Sequence, residues 1–205
     1  KKLKFSEKNY NKIFNAEIIE KIVKKNKLRF EGVSINSQKT KKNNLFIAIK
    51  GKNHDGHTFL KEAIKNKANY CVIQNKTYNL DKKKLIKHPN TISFLNRLAI
   101  LKRSHSNSKI IAITGSSGKT TLKTLLGKIL SEYGKTYFSQ KSYNNHIGVP
   151  LSLCNLENNH KYGVFEIGMS NSGEIRKLSN LVRPDIGIIT NIGEAHIENF
   201  KNLNN

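Results

Sequence analysis

The chain has 205 residues, 37% of them hydrophobic, and carries 37 Lys and Arg against 14 Asp and Glu, a formal net charge of +23. That length allows one large or two small domains, and no apolar run approaches the length of a membrane span. The positive charge raises a nucleic-acid or membrane-surface reading. However, the lysines are spread along most of the chain, and few runs interleave aromatic residues with cations, so a Lys- and Asn-heavy composition is the simpler account.

Residues 1–30 show a weak amphipathic pattern, with Ile13, Phe14, Ile18, Ile19, Ile22 and Val23 at partly helical spacing. A polar segment follows at 34–40. Leu45–Ile49 reads as a strand, Gly51–His57 as a loop, Phe59–Ile64 as a helical stripe and Tyr70–Ile73 as a second strand. Together they make a small α/β unit. Residues 74–90 are polar and Lys-rich. Thr91–Ser104 reads as a helix, with Phe94, Leu95, Leu98 and Leu101 on one face.

From Lys109 the pattern alternates. Strands are expected at 109–114, 135–139, 162–167 and 186–190, and helices at 119–132, 149–156 and 173–182. Such alternation indicates a doubly wound, mostly parallel sheet. The expected organisation is an α/β N-terminal domain at 1–88, a linker helix at 89–108 and a second α/β domain at 109–205. Cys71 and Cys154 lie far apart in apolar segments and read as buried thiols in a reducing compartment, which suggests the cytoplasm. The chain begins without Met and ends in a polar tail, so both ends read as internal cut points.

The most informative stretch is Ile110–Leu122. A β-branched run enters Thr114-Gly115-Ser116-Ser117-Gly118-Lys119-Thr120-Thr121, and a helical pattern follows. The two glycines let backbone N–H groups approach an anion, and the helix directs its positive end to the same place. Lys119 supplies a point charge for outer phosphates, and Thr120 a hydroxyl for Mg²⁺. Ile113 stands where the common phosphate-loop pattern has its first Gly. The expected ligand is a nucleoside triphosphate, ATP, with Mg²⁺.

Three further segments fall beyond the ends of later strands, where such sheets bind ligands. Glu166 ends the strand 162–167 and suits a hard-oxygen site for Mg²⁺. Asn144 and Asn145 can each donate and accept, which fits a substrate phosphate as well as an Asx-rich turn. His196 follows the last strand, and spacing alone gives it no role.

Taken together, Thr114–Thr121, Tyr143–Pro150, Phe165–Ile175 and Arg183–His196 resemble the Mur ligases, ATP-dependent amide-forming enzymes of peptidoglycan precursor synthesis. Gly32–Gln38, Leu45–Gly51 and Asp55–Phe59 are similar to the UDP-binding domain of that family. The motifs look most like the branch that joins D-Ala-D-Ala to UDP-MurNAc-tripeptide through an acyl phosphate. Other amide ligases of the superfamily, the folylpolyglutamate type among them, and a P-loop kinase stand as alternatives.

The resemblance implies that Lys119, Glu166 and His196 are catalytic, with Thr120, Glu166 and His196 near magnesium. It further implies that Gly115 to Thr121 bind ATP, and that Ser34, Ser37, Asn144 and Asn145 contact the nucleotide-sugar substrate. It implies a cytoplasmic monomer with no nucleic-acid partner and no membrane insertion. One departure is plain. Asn36-Ser37-Gln38 replaces an Asp-Ser-Arg common in the family, so a rigid cationic fork is missing there.

Overall fold

The computed structural model describes residues 28–74, 78–139 and 141–193. The chain divides into two compact units, Lys1–Leu101 and Lys102–Asn205. The apolar positions Ile13 to Val23 of the pattern read over 1–30, and the site residue His196, lie outside the described residues.

The first unit is a four-stranded sheet in the order β1-β2-β3-β4, formed by Gly32–Ser34 (β1), Asn44–Ile47 (β2), Tyr70–Ile73 (β3) and Leu85–Lys87 (β4). All three pairings are parallel, with Val33 opposite Leu45, Phe46 opposite Cys71 and Val72 opposite Ile86. A parallel sheet is covered on both faces, so its central strands read as continuous apolar runs. Leu45, Phe46, Ile47, Cys71, Val72 and Ile73 are accordingly all fully buried. Helix α1 (Leu60–Lys65) sets Leu60 and Ala63 against Phe46, Cys71 and Ile73. Helix α2 spans Thr91–Ser104, as its spacing predicts, and buries Phe94, Leu95, Leu98 and Ala99.

Two short strands depart from the sequence reading. β1 holds three residues and β4 has Ile86 as its one buried side chain, so neither is long enough to show a period of two. In β4 the flanking lysines, part of the Lys-rich run at 74–90, are what a sheet edge uses to discourage further pairing.

The second unit is also all parallel, in the order β6-β7-β5-β8. Its strands are Lys109–Thr114 (β5), Thr136–Phe138 (β6), Tyr162–Glu166 (β7) and Ile186–Ile189 (β8). Helix α3 (Lys119–Ser131) lays Leu122, Leu126 and Leu130 over Ile111, Ile113 and Val164. The alternate residues Ile110, Ala112 and Phe165 point to the opposite face and are buried as well. There α4 (Gly148–Cys154) contacts β7, and α5 (Glu174–Val182) contacts β5. The fold is the doubly wound α/β sheet that the alternation predicts. β8 leaves Ile186 and Ile189 exposed.

Cys71 and Cys154 are buried and not disulfide-bonded, and burial pushes the Cys71 thiol up to about 12. Among the described residues no helix is long and apolar enough to cross a membrane.

Candidate nucleotide site

Strand order places the site. β5 lies between β7 and β8, although β6 follows it in the chain. The chain therefore leaves β5 toward one side of the sheet and later returns to its other side. Where strand order reverses in this way, a crevice opens beyond the carboxyl ends of the strands. The loop after β5, the tip of β7 and the residues after β8 all meet there.

The loop after β5 turns on two left-handed glycines. Gly118 has φ +76° and occupies the N-cap of α3 with no side-chain cap. The first-turn N–H groups of α3 thus lack the intrahelical acceptor and the side-chain oxygen that would satisfy them. Gly115 has φ +132°, and a Cβ there would collide with the Thr190 hydroxyl.

That close approach belongs to a set of contacts between the loop and the end of β8. The Ser116 N–H donates to the Asn191 carbonyl at 3.1 Å, and the Ser117 N–H to Asn191 Oδ1 at 2.9 Å. Thr190 Oγ1 donates to the Ser117 carbonyl at 2.6 Å, and Asn191 Nδ2 to Ser117 Oγ at 2.8 Å. Sequence reasoning gave Thr190 and Asn191 no role. Nothing local signals it, because the contacts cross more than seventy positions. The Ser116 and Ser117 N–H groups are thus directed at Asn191, whereas the α3 first-turn N–H groups have no side-chain cap.

Lys119 folds over the same turn. Its Nζ donates to the carbonyls of Gly115 at 2.6 Å and Ser116 at 3.3 Å. Thr120 projects from the next position toward β7, and its Oγ1 donates to Glu166 Oε2 at 2.8 Å. Glu166 is 2% exposed, far from the solvated strand end that a surface reading would give it. Asn144 Nδ2 donates to the other oxygen, Oε1, at 2.8 Å, while the Asn144 carbonyl accepts the Gly168 N–H at 2.8 Å. Asn145 instead caps α4: its Oδ1 accepts the Ile147 and Gly148 N–H groups.

A cleft of about 700 Å³ opens beside this cluster, lined by Gly115, Lys119, Asn144, His146, Glu174 and Lys177 among others. The Glu174 carboxylate accepts the N–H groups of Ser170 at 2.6 Å and Asn171 at 3.1 Å. These bonds fix the cleft wall and hold the Glu174 carboxyl below its usual range.

The structure thus brings Lys119, Thr120, Asn144 and Glu166 together. Ser34 and Ser37 belong to the first unit. Both are buried: Ser34 Oγ donates to the Asn36 carbonyl at 2.8 Å, and Ser37 Oγ to Glu62 Oε2 at 2.5 Å. Among the described residues no cluster of three or more His, Cys, Asp or Glu could hold a metal. A hydroxyl and a single carboxylate suit Mg²⁺, which takes one or two carboxylates with phosphate and water oxygens. The uncapped helix end, the cationic Lys119 and the paired oxygens of Thr120 and Glu166 fit a magnesium–triphosphate complex.

Comparison with known proteins gives the family. Residues 113–205 match the Mur ligase middle domain, and residues 29–103 match the Mur ligase family, catalytic domain. The chain belongs to the Mur ligase family. It is 37% identical over 178 residues to the UDP-N-acetylmuramoyl-tripeptide–D-alanyl-D-alanine ligase of Rickettsia prowazekii (strain Madrid E), covering 87% of this chain and 39% of that protein. The ligase of the same name from Borreliella burgdorferi is 37% identical over 215 residues, covering 99% of this chain and 45% of the relative. Among solved structures, the MurF ligase of Thermotoga maritima in complex with ADP superimposes with a TM-score of 0.72 at 31% identity. That match covers 85% of this chain and 40% of the other. MurF from Acinetobacter baumannii gives 0.73 at 32%, covering 84% and 38%. The chain therefore spans about two fifths of the length of these relatives.

Proposed function

We propose that this chain provides the nucleotide-sugar-binding and ATP-binding parts of a MurF-type ligase, which joins D-Ala-D-Ala to UDP-MurNAc-tripeptide. The observation that carries this reading is the convergence of Thr120, Asn144 and Glu166 beside the Gly118 turn. In this reading residues 1–88 take the UDP moiety through the region of Ser34 and Ser37, residues 89–108 link, and 109–205 take ATP. His196 completes the metal side as the family resemblance implies.

The reaction joins a carboxylate to an amine at the expense of ATP. The terminal phosphoryl group passes to the tripeptide carboxylate, giving an acyl phosphate, and the dipeptide amine then displaces phosphate. Thr120 and Glu166 would hold Mg²⁺, which would supply charge neutralisation between triphosphate and carboxylate. Lys119 adds a fixed positive charge at the outer phosphates. The first-turn N–H groups of α3 orient the phosphate chain without moving during the reaction. Asn144 holds the Glu166 carboxylate in register through Oε1. The enzyme acts as a cytoplasmic monomer on soluble substrates, with no nucleic-acid partner.

Calorimetry of ATP binding with and without Mg²⁺ tests the site. Magnesium-dependent uptake supports the reading, and its absence in well-folded protein overturns it. The choice of acceptor is tested by phosphate release in the full-length enzyme. D-Ala-D-Ala should stimulate it, whereas stimulation by a single amino acid or by glutamate instead points to another Mur-type or folylpolyglutamate-type ligase.

A further inference from the structure

Lys123 is completely buried, whereas every other lysine among the described residues is exposed or half-buried. It lies one turn beyond Lys119 on α3, on the side of the helix that faces the sheet. Its Nζ is 3.0 Å from the Lys141 carbonyl, 3.5 Å from Ser139 Oγ and 3.5 Å from Glu166 Oε2. Burying an ammonium costs several kcal/mol unless it is paired, and a Met or Leu would fill the same space without that cost. A lysine here is therefore not explained by packing.

Its partner oxygen shows what the charge does. Glu166 Oε2 is the oxygen that accepts from Thr120, so Thr120 and Lys123 hold the same atom while Asn144 holds Oε1. These contacts fix the orientation of the carboxylate. It is also neutralised, because one carboxylate faces one ammonium and no acidic cluster adds to it among the described residues. A divalent cation approaching without phosphate would find a hydroxyl and a carboxylate whose charge is already balanced. A triphosphate in the cleft restores the missing negative charge.

We propose that Lys123 is a positioning residue that fixes Glu166 and makes divalent-cation binding there depend on nucleotide. This rests on the reading that Thr120 and Glu166 receive the cation. The test is Mn²⁺ titration of the intact protein by electron paramagnetic resonance, with and without a non-hydrolysable ATP analogue, alongside a circular-dichroism melt. Wild type should take up Mn²⁺ tightly only with nucleotide. Lys123→Met keeps the bulk, removes the charge and should bind nucleotide-free Mn²⁺ at least about tenfold more tightly. Lys123→Arg keeps the charge and should behave as wild type. If Lys123→Met fails to melt cooperatively, Lys123→Gln takes its place.

Equal nucleotide-free affinity in wild type and the neutral variant overturns the proposal, as does wild-type uptake that ignores nucleotide. No Mn²⁺ uptake by wild type even with the analogue is a different result. It overturns the ATP-site reading, and the inference with it.

Discussion

Thr120 and Glu166 stand 46 positions apart in sequence, yet their side-chain oxygens meet at 2.8 Å. The first turn of α3 and the tip of β7 are brought together because β5 and β7 pair in register, with Ile113 opposite Glu166. Removing one oxygen should therefore act on metal-dependent binding more than on folding. Thr120→Val in the full-length enzyme is expected to weaken Mg²⁺-ATP binding about tenfold or more while shifting the melting temperature little. Isothermal titration at fixed ATP and varied Mg²⁺ measures it.

In the proposed function Lys119 meets the outer phosphates, and in this structure its partners are the carbonyls of its own loop. Lys119→Ala in the full-length enzyme should lower turnover on the order of 10²–10³-fold, the scale for losing a preorganised electrostatic donor. Steady-state phosphate release reads the effect. A near-normal rate would remove Lys119 from the mechanism.

Gly115 tests the contacts between the loop and β8. At φ +132° any side chain is strained, and a Cβ collides with Thr190. Gly115→Ala should lower stability by about 1–3 kcal/mol and displace the loop from Asn191. Denaturant melts report the first effect, and loss of ATP binding reports the second.

His160 gives a pH prediction. Its Nδ1 accepts the Glu157 N–H at 2.9 Å, and its ring stands edge-on to Tyr137. Desolvation by burial holds its pKa below the usual 6.5, although Glu157 works in the opposite direction. A base whose folded pKa is depressed binds fewer protons in the native state than when unfolded. Its contribution to stability is present above about pH 6.5 and is lost as pH falls from there through the folded pKa. Thermal melts between pH 7.5 and 5 should show this loss, and His160→Asn should flatten the dependence in that window.

Much of the second unit was legible because its signals are local. The boundaries of β5 coincide with the apolar run that predicts them, and α3 ends one residue short of its predicted limit. The Gly118 turn was readable for the same reason: strand, glycines, Lys119 and Thr120 are contiguous. Two of the three-residue strands, β1 and β4, were not, because they lie in polar or Lys-rich sequence with few apolar residues to mark them, whereas β6, equally short, falls within the predicted 135–139 run. Ser37 is another case. Its hydroxyl is committed to Glu62, a partner 25 residues away that no motif announces.

The linear chain by itself determined the phosphate-cradling turn, the alternation of strands and helices, and the kind of oxygen ligand available at Glu166, because each depends on neighbours within a few positions. Tertiary structure alone decided that β5 lies between β7 and β8, that Thr190 and Asn191 brace the turn, and that one lysine among 37 Lys and Arg is the buried partner of Glu166. Those facts depend on which strands pair across long loops. That choice is made by burying apolar surface over the whole sheet, a sum to which no short segment holds the answer.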